Sequence, residues 1–158
     1  MEAKLLVTTS IEESWGLDQH IVFLGEWCKR YSRKHVWQQR AFDVCDYHWR
    51  DRKKLQVDHD YLEVLNEDLL RTLRIFLNAH HGIDRDVEYW RIIIGPWLLT
   101  YLPVLWDRWE VLSGIAENGS HLETQSLAFS SNRKVPNDFS EALAFFDSDF
   151  WNHQIFIE

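Results

Sequence analysis

The sequence predicts an α/β domain with a mainly parallel, Rossmann-like sheet and flanking helices. Three observations predict it: two short apolar runs containing Val and Ile near the amino terminus, a long amphipathic stretch in the middle, and a further apolar stretch opened by a proline. With 158 residues, 46% of them hydrophobic, the chain suffices for one domain with a sizeable core. No repeat, low-complexity tract or linker marks a second one, so residues 1–158 read as a single α/β domain.

Lys4 to Thr8 (KLLVT) and His20 to Leu24 (HIVFL) read as two buried strands, compatible with parallel pairing. Ile11 to Gln19, between them, is too short for a helix and reads as a loop or one helical turn. The clearest helix spans Asp60 to His81, where Leu62, Leu65, Leu69, Leu73 and Phe76 recur at three- and four-residue steps. Asp60 with Glu63 suggests a capping box at its start, and Gly82 a left-handed closing residue. A second helix is expected to open at Pro96, continue through Leu98, Leu102, Leu105, Trp109 and Leu112, and kink at Pro103. The preceding Trp90 to Ile94 (WRIII) fits a buried strand or a helix entering the next, and the strand is favoured.

Asn118-Gly119 is a turn signal before an expected strand at Leu122 to Phe129, with a loop from Ser130 to Pro136. Asp138 with Glu141 suggests a capping box for a short helix, and Asp149 the cap of one more. That last helix would have nine residues, Phe150 to Glu158. It is too short to hold itself together, and Trp151, Ile155 and Phe156 would lack a partner surface. The chain therefore reads as cut after Glu158, with an exposed apolar patch that favours self-association.

The formal charge of −8 leaves no global positive field to attract phosphate backbones, which argues against nucleic acid as a partner. One dense basic stretch is Lys29, Arg30, Arg33 and Lys34, interleaved with Tyr31, His35 and Trp37. It could grip a phosphate or diphosphate group, although a solvated basic face is the commoner role. Cys28 and Cys45 lack disulfide-scaffold or zinc spacing, which fits a reducing compartment, the cytosol. No basic start followed by a long apolar run opens the chain, and no transmembrane segment is expected, so any membrane association would be peripheral.

Dinucleotide, P-loop and nucleophile-elbow motifs are absent, and the eight His show no metal-ligand spacing, so no metal or cofactor is expected here. In open α/β sheets ligands bind outside the carboxyl ends of strands. Thr8, Thr9 and Ser10 follow the first strand, and Gly25, Glu26 and Trp27 the second. Glu26 is the candidate general base, able to take a proton from a sugar hydroxyl, while Trp27 offers a flat face to a sugar ring. Capping or ion pairing for Glu26, and packing for Trp27, are the commoner roles. Thr8, Thr9, Trp27, His35, Arg91 and Trp97 complete the candidate binding set, the last two because a helix starting at Pro96 would offer its amino terminus to an anion. Asp107 and Arg108 read as surface or interhelix partners, and Cys28 as a small buried hydrophobe.

Taken in order, LVTTS (Leu6 to Ser10) with Trp15, FLGEWC (Phe23 to Cys28), RKHVW (Arg33 to Trp37), YHW (Tyr47 to Trp49), YWRIIIGPWL (Tyr89 to Leu98), DRW (Asp107 to Trp109), VPNDF (Val135 to Phe139) and WNH (Trp151 to His153) form a distinctive series. The series resembles the amino-terminal region of a family of transferases from bacterial O-antigen and surface-polysaccharide loci. The resemblance implies the amino-terminal half of a two-domain, GT-B-like enzyme whose missing carboxyl-terminal domain would hold a nucleotide-sugar donor. This half would hold a glycan or lipid-linked glycan acceptor, and alone it would be inactive. Localisation would be cytoplasmic or peripheral to the inner membrane. The alternative is a non-catalytic glycan-binding or protein-interaction domain.

Overall fold

In the computed structural model, which describes residues 4–17, 19–117, 122–128 and 135–158, the two amino-terminal apolar runs form strands β1 (Lys4–Val7) and β2 (Ile21–Phe23). Both are buried almost throughout, as strands covered on two faces must be. β3 (Phe42–Val44) extends the sheet beyond β2, and β4 (Leu122–Thr124) pairs with the other side of β1. The order is β3-β2-β1-β4 and every pairing is parallel, with Leu5 opposite Ile21 and Glu123, and Val22 opposite Asp43. Chain order therefore reverses between β1 and β4, the kind of switch point where open sheets form crevices.

The chain divides into two compact units. One takes in the chain up to Tyr47 together with everything from Arg108 onward. Its core holds Leu5, Val7, Trp15, Ile21, Phe23 and Cys28 of the sheet region, with Val111 and Phe156 from helices. Trp15 meets Phe23 edge-on at 5.2 Å, a favourable geometry for two buried rings. The connection between β1 and β2 is a single tight turn of helix at Glu12–Ser14, and that between β2 and β3 contains α1 (Lys34–Trp37).

The second unit, His48 to Asp107, is helical. α2 (Arg52–His81) starts eight residues before the expected position, capped by Asp51, whose carboxylate accepts from Lys53 N at 2.8 Å. Asp60 lies inside this helix rather than at its start. Its buried positions are Asp58, Asn66 and Leu70, and Phe76 of the expected apolar stripe is 63% exposed. Gly82 closes the helix at φ 64°, as expected, because a left-handed residue there favours glycine. Asn78 fixes the turn that follows, its side chain bonding Arg85 N, Arg85 O and Trp90 Nε1.

α3 runs unbroken from Val87 to Glu117. Trp90 to Ile94 is therefore helix, not strand, and Pro96 is an interior residue rather than a start, while Pro103 lies inside the helix as expected. Leu70, Trp90 and Leu98 form the centre of this unit's core. Arg108, in the part of α3 that belongs to the sheet unit, donates to Asn152 Oδ1 at 2.9 Å, the partner role its sequence position suggests.

α4 (Phe139–Phe146) is capped as expected: Asp138 accepts from Glu141 N at 2.8 Å, and Glu141 reaches back to Asn137 N at 2.6 Å. α5 (Asp149–Ile157) is capped by Ser148, one residue before the expected Asp149. Trp151 and Phe156, expected to be stranded on the surface, are 4% and 7% exposed, and Ile155 is half-buried. The predicted apolar patch at this helix does not exist, because α5 packs into the unit's own core. β4 ends at Thr124, short of the expected strand, while the Asn118-Gly119 turn, Phe129 and residues 130–134 lie outside the described residues. Among the described residues no helix is long and apolar enough to cross a membrane.

Candidate functional site

The carboxyl ends of β1 and β2 bring four of the predicted site residues together. Thr8 and Thr9 directly follow β1 and are buried, with exposures of 1% and 0%. Trp27 lies in a tight helical turn, Glu26–Cys28, after β2, and its Nε1 donates to Thr8 O at 3.0 Å. The Trp27 ring lies across Gly25: a Cβ on that glycine would sit 2.1 Å from it, so the glycine is required by close approach. The ring's outer part stays open at 40% exposure, and its edge meets Tyr47 at 6.2 Å.

Glu26 projects from the same turn with 68% of its side chain exposed, held 3.1 Å from Lys29 Nζ. Cys28 points inward, donates to Val7 O, and burial pushes its thiol up to about 12, so it behaves as a hydrophobe and not as a nucleophile. His35 is exposed on α1.

Arg91 and Trp97 belong to the helical unit. With α3 starting at Val87, Arg91 does not face a helix amino terminus at Pro96. Its guanidinium grips both oxygens of Glu67 and also reaches Glu88, and the hydrogen bonds to Glu67 raise its pKa. Trp97 is stacked on Tyr101 at 4.4 Å and packs against that unit's core. On the same unit, His59, Asp60 and Glu63 bring ligand-type atoms within 4.8 Å of one another, all exposed on one helix.

Residues that the sequence offered only singly come together in a groove beyond β1. Beyond β1, Ser10 donates to Asp149 through both its amide, at 3.2 Å, and its hydroxyl, at 2.7 Å. Arg30 pairs with the same carboxylate, and Arg33 forks onto Glu12, with Nη2 to Oε2 at 2.6 Å. The Arg33 hydrogen bond lowers the Glu12 pKa and raises that of Arg33. These groups, with Glu13, Asp147 and Phe150, line a groove of about 470 Å³, within the usual range for small-molecule sites.

His153 stands one turn along α5 from Asp149, 1% exposed. Its Nε2 accepts from Leu127 N at 3.2 Å, and its Nδ1 lies 3.4 Å from Thr8 Oγ1. An acceptor at Nε2 requires the neutral ring with its proton on Nδ1, and burial lowers its pKa in the same sense. The ring thus ties the end of β1 to the segment after β4, at the switch point of the sheet. Asp149 is legible in the sequence as a cap and His153 as part of the WNH motif, and their i, i+4 spacing places both on one face of a helix.

The family model described as LIC12162 family transferase matches residues 4–158, which takes in both units. No curated protein and no solved structure matches the chain. Because the match spans the sheet, the groove and the helical unit alike, the chain belongs to the LIC12162 family of transferases.

Proposed function

We propose that this chain is the acceptor-side region of a glycosyl-type transferase acting in surface-polysaccharide assembly, including O-antigen. The observation that carries the reading is the groove beyond β1, at the carboxyl side of a parallel sheet and lined by carboxylates, guanidinium groups, hydroxyls and Phe150. Such a lining suits a glycan or lipid-linked glycan acceptor, with hydroxyls bonded to the charged walls and a ring face against the aromatic. A nucleotide-sugar donor would be held by a further domain in a GT-B-like arrangement. Trp27, 40% exposed after β2, and the exposed His35 are the proposed acceptor contacts of this unit, while the buried Thr8 and Thr9 shape the end of β1.

Glu26 is the proposed general base: its carboxylate takes the acceptor hydroxyl proton as that oxygen bonds to the donor's anomeric carbon and the diphosphate departs. Lys29 would hold the carboxylate in place. In the complete enzyme Glu26→Gln should cut turnover by about 100-fold, the scale for losing a general base, with thermal stability unchanged because the side chain is mostly exposed. Near-normal turnover in that variant would refute the role.

A second reading, a protein-interaction module, is favoured by the helical unit. Val57, Val64, Ile75, Phe76, Ile92 and Leu99 are each more than 60% exposed there. Glycan binding that survives polar replacement of these six, with loss of a co-purifying assembly partner, would assign the two roles to the two units.

A further inference from the structure

The walls of the groove also restrict what charge its ligand can carry. Four carboxylates, Glu12, Glu13, Asp147 and Asp149, face it against two guanidinium groups, Arg30 and Arg33. Both arginines are already compensated, Arg33 by a two-point fork onto Glu12 and Arg30 by Asp149. Asp149 is itself fixed by two bonds from Ser10 and by its place in the first turn of α5, so it is a built partner and not a chance contact. An incoming phosphate or carboxylate would meet two arginines whose charge is already shared with Glu12 and Asp149, in a groove where carboxylates outnumber guanidinium groups by four to two.

Glu13 and Asp147 add exposed negative charge that no cation offsets among the described residues. An uncharged hydroxyl makes no such demand. The paired carboxylates keep free lone pairs and the guanidinium groups keep free N–H donors, a matched set for adjacent hydroxyls that can donate and accept at once. Phe150, 58% exposed at the rim, supplies an apolar face for the C–H side of a ring.

We propose that the groove binds an uncharged or amino-bearing pyranose and rejects phosphorylated and uronate ligands, with Glu13 and Asp147 as the charge-selecting residues. The proposal rests on the acceptor reading and narrows it: Arg30 and Arg33, each already paired with a carboxylate, hydrogen-bond the hydroxyls of a polyol instead of gripping a phosphate.

The test is a titration of the intact protein, followed by amide NMR shifts, with methyl pyranosides of several ring stereochemistries. Each is offered in neutral, 2-amino and uronate form, with inorganic phosphate as a further probe. At least one neutral or amino form should saturably shift the amides of Ser10, Arg30 and Phe150, and its uronate should bind about tenfold more weakly or not at all. The double variant Glu13→Gln, Asp147→Asn should bring the uronate towards parity with an unchanged melting temperature. If a uronate or phosphate binds the groove as well as its neutral counterpart, charge selection is overturned while the acceptor reading stands. If no pyranoside of any charge shifts these amides, both are overturned.

Discussion

Replacing His153 tests the link at the sheet's switch point. His153→Ala removes a ring that is 1% exposed and leaves a cavity, which by analogy with other large-to-small core changes costs about 2–4 kcal/mol. Leu127 N loses its acceptor, for about 1 kcal/mol more, whereas the 3.4 Å contact with Thr8 is too long to add much. A loss of about 3–5 kcal/mol is a large part of the roughly 5–15 kcal/mol that holds a domain folded, and corresponds to a drop in melting temperature of about 10 °C.

The same ring gives a pH signature. Burial sets its folded pKa below the ordinary imidazole value of 6.5, so the unfolded chain binds the proton first as pH falls. The stabilisation from the neutral ring is complete above 6.5 and is lost as pH falls from there towards the folded value. Denaturant unfolding from pH 5 to 8 should therefore show His153→Gln losing less stability on acidification than the parent, the other histidines cancelling in the difference. A parent-minus-variant difference that stays flat with pH, or a cost of His153→Ala below about 1 kcal/mol, would refute the neutral, acceptor-bearing ring.

Gly25→Ala should force the Trp27 ring off Thr8 O and cost about 1–3 kcal/mol, read as a shifted indole N–H resonance and a lower melting temperature. Asp58, 4% exposed, has its pKa lowered: burial acts upward, but hydrogen bonds from Trp49, Lys54 and Trp106 outweigh it. Its contribution is therefore present above the ordinary carboxylate value of 3.8 and lost as pH falls through the lower folded value, and Asp58→Asn should cost about 3 kcal/mol at neutral pH with a flatter acid limb in helical circular dichroism. At pH 8 a thiol reagent should modify half-buried Cys45 and spare Cys28 until the chain unfolds; rapid reaction of both would contradict the burial of Cys28.

Sequence pattern revealed the elements whose signal is continuous. β1 and β2 are unbroken apolar runs because both faces are covered, and Gly82 marks a helix end because its conformation favours glycine. β3 escaped notice because it has three residues and its central Asp43 faces outward, paired with Lys4 at 2.8 Å and His20 at 2.9 Å. The first half of α3 was misread because Gly95-Pro96 looks like a break. A proline frees only the carbonyl four residues back, and Ile92, which carries it, is 78% exposed, where water can satisfy the group. Thr8, Thr9, Glu26 and Trp27 were legible as a cluster, since strand ends can be read locally. The Ser10–Asp149 contact joins residues 139 apart, a distance that no local periodicity encodes.

The position of β4 beside β1 sets an order of assembly. β1, β2 and β3 lie within the first 44 residues and can pair as they are made, whereas β4 arrives about 80 residues later, after two long helices. At synthesis rates of about 5–20 residues per second, the β1 edge waits roughly 4–16 s with its amides and carbonyls unpaired. A strand that is buried at three of its four positions in the finished sheet thus keeps an open edge during synthesis. Lys4 at its start, a charge on an otherwise apolar edge, is the one feature of β1 that discourages a second nascent chain from pairing there first.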